Sequence, residues 1–325
     1  MNAIRNHKRN IFRALFMLIL VGAAWFFYEE LSRHWESLRL EELRLRTGGI
    51  LIALGLVVAA YSLAAVVWHY GINAHPSSGR MSLKESYAVF NTTQMTKYLP
   101  GKVWSYALQM ILMQHKGVSI SYLLYLNMLI ISSLIFSASL FGTLFVAAYS
   151  NRIPRVFSIP FSLVMFAAYL GFTFLNGRVF KAVVGLVNRV FGREIVCFEL
   201  PLPFLLRMQA GLIGSNVLFG FAGYALCYGI GFDIPAEMVF PVSAATLLAD
   251  TVGFVMFFSP GGLGIREGAL FFLLDGVTGK RLAILLPLAL RIITMSSDLI
   301  LGLTGLTLLR HCVGKSEHNI GNRHA

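Results

Sequence analysis

Charged residues are scarce in this chain: Lys, Arg, Asp and Glu make up 13% of 325 residues, against 57% hydrophobic residues. A soluble domain carries about 25% charged residues, so the deficit argues against a water-soluble fold and marks an integral membrane protein. Cysteine is scarcer still. Cys197, Cys227 and Cys312 are scattered, and no pair has redox or metal-ligand spacing. The eight histidines are dispersed, without an H-E-x-x-H pair that would put a zinc site on a helix face. No Walker loop, dinucleotide fingerprint or G-x-S-x-G elbow occurs, so nothing identifies ATP-driven transport or serine hydrolysis. The expectation is therefore no catalytic residue, no metal and no cofactor.

What is abundant is long apolar sequence. A membrane-crossing helix needs roughly 20 apolar residues, and seven runs qualify: 11–28, 49–68, 119–148, 156–175, 206–231, 239–258 and 282–309. Segments 104–114 and 266–274 are too short to cross at about 1.5 Å per residue and read as half-helices that enter the bilayer. The fold class is thus an all-α polytopic membrane protein with seven or eight transmembrane helices and two re-entrant half-helices. It forms one integral membrane domain over residues 1–312, followed by a polar tail over 313–325. The first run follows Arg5, Lys8 and Arg9 and lacks a small-x-small cleavage site before the charged stretch 29–46, which makes it a retained signal anchor.

Formal net charge is +12, and its distribution predicts topology. Residues 1–13, 76–118 and 177–207 carry excess Lys and Arg, which places them, with the N-terminus, in the cytoplasm under the positive-inside rule. The loop around Asp233 and Glu237 has no basic residue and fits the outside. Seven crossings would leave the basic tail from Arg310 outside, against the rule, unless one half-helix crosses fully; the count is therefore seven or eight. The chain is read as residing in the cytoplasmic (inner) membrane. Residues 177–195 space Arg178, Lys181, Arg189 and Arg193 among Val and Phe, as an amphipathic helix lying on a leaflet does. The basic balance implies contact with anionic headgroups; no aromatic-basic module supports nucleic acid binding.

Two similar interruptions break the helical pattern, "KYLPGKVWSYALQM" at 97–110 and "FFSPGGLGIREGAL" at 257–270. Each has a Pro-Gly pair, Pro100–Gly101 and Pro260–Gly261, the second continued by Gly262 and Gly264. Proline removes a backbone donor and glycine frees φ, so both force irregular turns. Irregular backbone within a bilayer is tolerated where it is buried in protein or lines a watery cavity, and paired broken helices point to a transporter's binding site. Ordinary cytoplasmic loops would use Pro-Gly equally well. The expected re-entrant elements span about 97–114 and 259–276, as an internal two-fold repeat. Counted along the apolar runs, both turns open on the same side, so an inverted repeat would need another crossing.

Charges inside the apolar runs cost about 2.5–3.5 kcal/mol each on insertion scales and therefore face a cavity or a partner. Arg291 and Asp298 share a helix face about 10 Å apart, too far to pair with each other. Asp250 is expected to pair with Arg291, or to serve substrate or proton coupling. Arg266, together with the amides of its helix N-terminus, is expected to receive a lipid phosphate. Glu267 would orient Arg266 or contact the headgroup. Lys97 and Lys102 would supply a second basic contact, with Trp104 at the interface, although snorkelling lysines and a belt tryptophan use the same residues. Asn91, with Thr92 and Thr93, is a candidate polar liner.

"KYLPGKVW" and "PGGLGIREGAL" resemble the lysylphosphatidylglycerol synthase transmembrane-region family, flippase-like integral membrane proteins, over nearly the whole chain. The resemblance implies a polytopic fold with re-entrant elements that moves an amphiphilic lipid or lipid-linked sugar between leaflets. Better-known members fuse this region to a soluble aminoacyl-transfer domain. The segment after residue 309 is too short for one, so no headgroup synthesis is expected. The leading function is transbilayer movement, as flippase or scramblase, of an anionic phospholipid or polyprenyl-phosphate-linked sugar. The alternatives are a membrane-embedded transferase or hydrolase using Asp250 or Glu267 as base, and a non-transporting subunit of an envelope-assembly complex. Membrane lipids are the expected partners, with envelope glycan or lipid-modifying enzymes beside them.

Overall fold

The structure is a computed structural model that describes residues 44–74, 80–98, 104–114, 116–149, 155–175, 198–256, 259 and 262–321, with a few positions between 178 and 189. The run 11–28, the turn residues Pro100, Gly101, Lys102, Pro260 and Gly261, and most of the amphipathic segment 177–195 lie outside the described residues.

Every regular element among the described residues is helical. In chain order they are α1 (Thr47–Ile72), α2 (Leu83–Gln94) with a 3-10 turn (Met95–Tyr98), α3 (Trp104–Gln114), α4 (Ile120–Tyr149), α5 (Arg155–Phe174), α6 (Leu202–Gly229), a 3-10 turn (Ala236–Met238) leading into α7 (Val239–Val255), α8 (Ile265–Thr278) and α9 (Lys280–Gly321). The last helix thus carries the beginning of the polar tail.

Among the described residues five helices are long and apolar enough to cross a membrane: Thr47–Ile72, Ile120–Tyr149, Leu202–Gly229, Ala236–Val255 and Lys280–Arg310. They are hydrophobic all round rather than on one stripe, as helices with lipid or protein on every side are. The expected run 156–175 forms α5, whose apolar part, Ser158–Phe174, is shorter than those five. Val156, Leu163 and Val164 of α5 are exposed, an apolar surface suited to lipid. The protein is an α-helical membrane-embedded bundle.

Contacts at the helix ends fix how the bundle is strung. At one end of α1, Arg46 grips Asp233 after α6, with Nη2 to Oδ2 at 2.7 Å, and its backbone N–H donates to Gly229 O at 2.8 Å. These exposed partners hold the Asp233 carboxyl below the usual carboxylate range, the Arg46 hydrogen bond being the main cause. Arg281 at the start of α9 lies over the Phe232 ring at 5.6 Å, so α9 begins at this same end. At the other end of α1, roughly 39 Å away for 26 residues, Asn73 bonds Met81 and His69 bonds Ser86. There α2 starts on a capping box, with Glu85 N–H donating to Ser82 Oγ and Ser82 N–H donating to Glu85 Oε2. Lys116, past the end of α3, pairs with Glu85 at 2.7 Å.

Two helical hairpins follow from these contacts. The α2–α3 hairpin leaves and returns at the Glu85 end, and the α7–α8 hairpin leaves and returns at the Asp233 end. They enter from opposite ends, whereas counting apolar runs put both turns on one side. The difference has a physical source: α3 carries the chain from the first turn back to the Glu85 end before α4 begins, and the count of apolar runs left it out. Each hairpin has its own apolar core. Val242, Leu247, Leu270 and Leu274 pack in one, and Val89, Met113, Trp68 and Tyr122 in the other.

Candidate functional site

Between the two cores lies a cavity of about 250 Å³. One wall is apolar, with Ile130, Ile131, Leu134 and Ile135 of α4 facing Leu301 of α9. The other carries most of the charges singled out in the sequence: Lys97, Asp250, Arg266, Arg291 and Asp298 all line it, as does Asn91. Residues nearly 170 positions apart (Lys97 and Arg266) thus share one space.

The hairpin tips deliver the cations. Lys97 sits in the 3-10 turn that ends α2 and reaches Asp298 of α9 at 2.8 Å, while its ammonium lies 4.9 Å from the centre of the Tyr61 ring. Arg266, in the first turn of α8, reaches Asp250 of α7 at 3.0 Å and lies 5.4 Å from the centre of the Phe219 ring. Both cations therefore have a carboxylate and an aromatic face, the two environments that hold a positive charge away from water.

Close approach of α7 and α8 rests on glycines. A Cβ added at Gly253 would lie 2.7 Å from Arg266 Cβ, and one at Gly262, where φ is +74°, would lie 3.2 Å from Gly253 Cα. Gly264 has φ +79° at the N-cap, a conformation costly for other residues. Its N–H donates to Glu267 Oε2 at 2.7 Å, so the acidic side chain closes the helix start.

This geometry corrects two pairings. Asp250 meets Arg266 rather than Arg291, because α8 folds back along α7 and brings its first turn to Asp250. Glu267 does not orient Arg266 or face the cavity; it is 7% exposed, caps Gly264 and pairs with Arg291 at 3.4 Å. Arg291 and Asp298 each find a partner on another element, as their spacing required. Trp104 opens α3, half exposed, and does not line the cavity. Thr93 lies behind the wall, accepting from Gln109 Nε2.

Electrostatically the site is balanced rather than simply basic. Among the described residues three cations face two lining carboxylates, and Glu267 behind them brings the acids to three. Asp250 is the most accessible of these acids, with 44% of its side chain exposed against 10% for Arg266. An incoming anion that reaches Arg266 would therefore displace Asp250, which has solvent-accessible space to move into.

Sequence reasoning missed the uncharged polar liners: Gln94, Ser105, Tyr106, Asn127, Ser215 and Asn216. Their signal was present, since Asn127 and Asn216 interrupt long apolar runs, and a polar group at membrane depth needs a partner as a charge does. Among the described residues no cluster of His, Cys, Asp and Glu could hold a metal. Comparison of the chain with protein-family models, curated proteins and solved structures gives no match.

Proposed function

We propose that this protein moves an amphiphilic lipid with an anionic headgroup between membrane leaflets, and that it belongs with the flippase-like family its two Pro-Gly motifs resemble. Lys97 and Arg266 support this: the tips of two hairpins that enter from opposite ends bring both cations to one cavity that also has an apolar stretch of Ile130, Ile131, Leu134 and Ile135. A phosphate has cations to meet there, and the acyl or prenyl chain has an Ile- and Leu-lined side. On this reading α2–α3 and α7–α8 are re-entrant or paired half-crossings related as an inverted repeat, the arrangement in which transporters hold substrate near the midplane. Because α8 returns the chain to the end at which α7 began, α9 crosses from there, and the basic segment after Arg310 falls on the cytoplasmic side with residues 1–13 and 76–118. The substrate is an anionic phospholipid or a polyprenyl-phosphate-linked sugar of the cytoplasmic membrane.

The phosphate would dock on Arg266 by displacing Asp250, with Lys97 as the second cation and Glu267 holding the α8 N-terminus in place. Leaflet exchange of fluorescent phospholipids in proteoliposomes tests this. Wild type is expected to accelerate exchange, Arg266→Ala to abolish it, and Glu267→Ala to reduce it about tenfold or more through loss of the cap. Folded wild-type protein that exchanges no lipid would sink the transport reading.

A further inference from the structure

Asn91 of α2, Asn127 of α4 and Asn216 of α6 line the cavity and are 2%, 6% and 9% exposed. In each the direction of the side-chain amide is dictated by what its NH₂ group must meet. Asn91 Nδ2 donates to Tyr87 O at 3.0 Å, and Asn216 Nδ2 donates to Leu134 O at 3.2 Å and to Ser137 Oγ at 2.8 Å. A backbone carbonyl only accepts, so neither amide can be turned over. Asn127 is fixed by a relay. Thr93 Oγ donates its proton to Phe90 O and therefore accepts from Gln109 Nε2, which leaves Gln109 Oε1 to accept from Asn127 Nδ2 at 2.8 Å. The NH₂ group of each amide is thus engaged by the protein, through both hydrogens in Asn216 and through one in Asn91 and Asn127, and all three Oδ1 atoms have no hydrogen-bond partner among the described residues. Ser215 adds to the set: its hydroxyl donates to Ala60 O at 2.8 Å and offers the cavity lone pairs only.

From this wall we infer that the cavity reads a polyhydroxylated headgroup, its hydroxyls donating to Asn91, Asn127, Asn216 and Ser215. None of these oxygens is among the fully enclosed polar atoms that lack a partner; each is open to the cavity, where a ligand that brings one O–H to each replaces water. Spacing separates hydroxyls from a single ammonium. Asn216 is tied to Leu134 and Ser137, at least seven residues along α4 from Asn127, which is about 10 Å of helix axis. One ammonium needs its acceptors within hydrogen-bond reach of one nitrogen, about 2.9 Å from each; these are spread along a wall. Several hydroxyls on an extended glycosyl or inositol group meet them separately. The assignment rests on the anionic-headgroup reading above and adds a specificity for what is attached to the phosphate.

Lipid retention by the purified full chain in mixed micelles of a sugar-free polyoxyethylene detergent tests it, with phosphatidylinositol, phosphatidic acid and phosphatidylethanolamine compared. Wild type is expected to retain phosphatidylinositol at least about tenfold more strongly than phosphatidic acid. Asn127→Ala and Asn216→Ala, each checked for an unchanged melting temperature, are expected to lower phosphatidylinositol retention several-fold and leave phosphatidic acid within about twofold. Arg266→Ala is expected to lower both. Equal losses for both lipids in the Asn variants, or a wild-type preference for phosphatidylethanolamine, would overturn the hydroxyl assignment. Retention of none of the three would overturn the anion site and this assignment together. Selective retention without leaflet exchange would leave the assignment standing and remove transport alone.

Discussion

Asp298 is the most enclosed of the charged side chains around the cavity, with 5% of its surface exposed, and Lys97 meets it from the tip of the α2 hairpin. Removing one member of such a pair strands the other in a poor solvent, which costs more than removing both. Lys97→Met is therefore expected to destabilise the protein by about 3 kcal/mol, toward the lower end of what breaking a buried pair costs, because Lys97 keeps 30% exposure. Lys97→Met with Asp298→Leu should recover most of that loss. Asp250→Asn should be milder, since that carboxylate is 44% exposed and its surroundings screen it. Thermal unfolding in detergent reads all three, and a double variant melting no higher than Lys97→Met would show that the pair is not what holds these helices together. Charge pairing is also where residue-level reading of the sequence stops. The spacing of Arg291 and Asp298 excluded a bond between them, but no spacing along the chain tells which of several distant acids a given arginine meets.

At the scale of elements, the α7–α8 hairpin depends on an approach that only glycine permits. Gly253 faces Arg266 so closely that a methyl group would sit 2.7 Å from Arg266 Cβ, an atom too near the backbone to swing aside. Gly253→Ala is expected to cost about 1–3 kcal/mol, the usual range for overpacking. It should also open the Asp250–Arg266 pair, reducing lipid exchange more than the same substitution at Gly268, whose Cβ would meet nothing within 4 Å. Equal exchange in the two variants would separate the glycine contact from the site. The elements themselves were legible: 104–114 forms a short helix with those bounds, and the apolar runs among the described residues became helices within a few residues of their predicted ends, save that the last helix continues past 309 to Gly321. Apolar length is a local property that the composition of a window reports. The hairpin was not legible, because "GGLG" announces a turn without saying that α8 returns beside α7. The amide wall was overlooked for a different reason: charges in apolar runs were weighed, while the Asn residues in the same runs were not.

On the scale of the whole molecule, the decisive arrangement is that the two hairpins enter from opposite ends and meet at one cavity. A cavity reached from one end alone would be a cleft; one enclosed between opposed hairpins can be opened toward either end by rocking one hairpin against the other, which is what movement between leaflets requires. The arrangement makes a sidedness prediction that does not depend on any lipid. Glu237 before α7 and Lys280 at the start of α9 are exposed at the Asp233 end, whereas Lys84 at the start of α2 and Lys116 after α3 are exposed at the Glu85 end. In a cysteine-free background, a cysteine at position 237 or 280 should react with a membrane-impermeant maleimide from one side of sealed vesicles. One at 84 or 116 should react only from the other. Position 280 decides the matter: if α8 does not return, Lys280 joins Lys84 and Lys116, and the opposed hairpins are lost. Under the positive-inside rule the 84 and 116 pair is cytoplasmic, so right-side-out vesicles should label 237 and 280 while sparing 84 and 116 until the membrane is permeabilised.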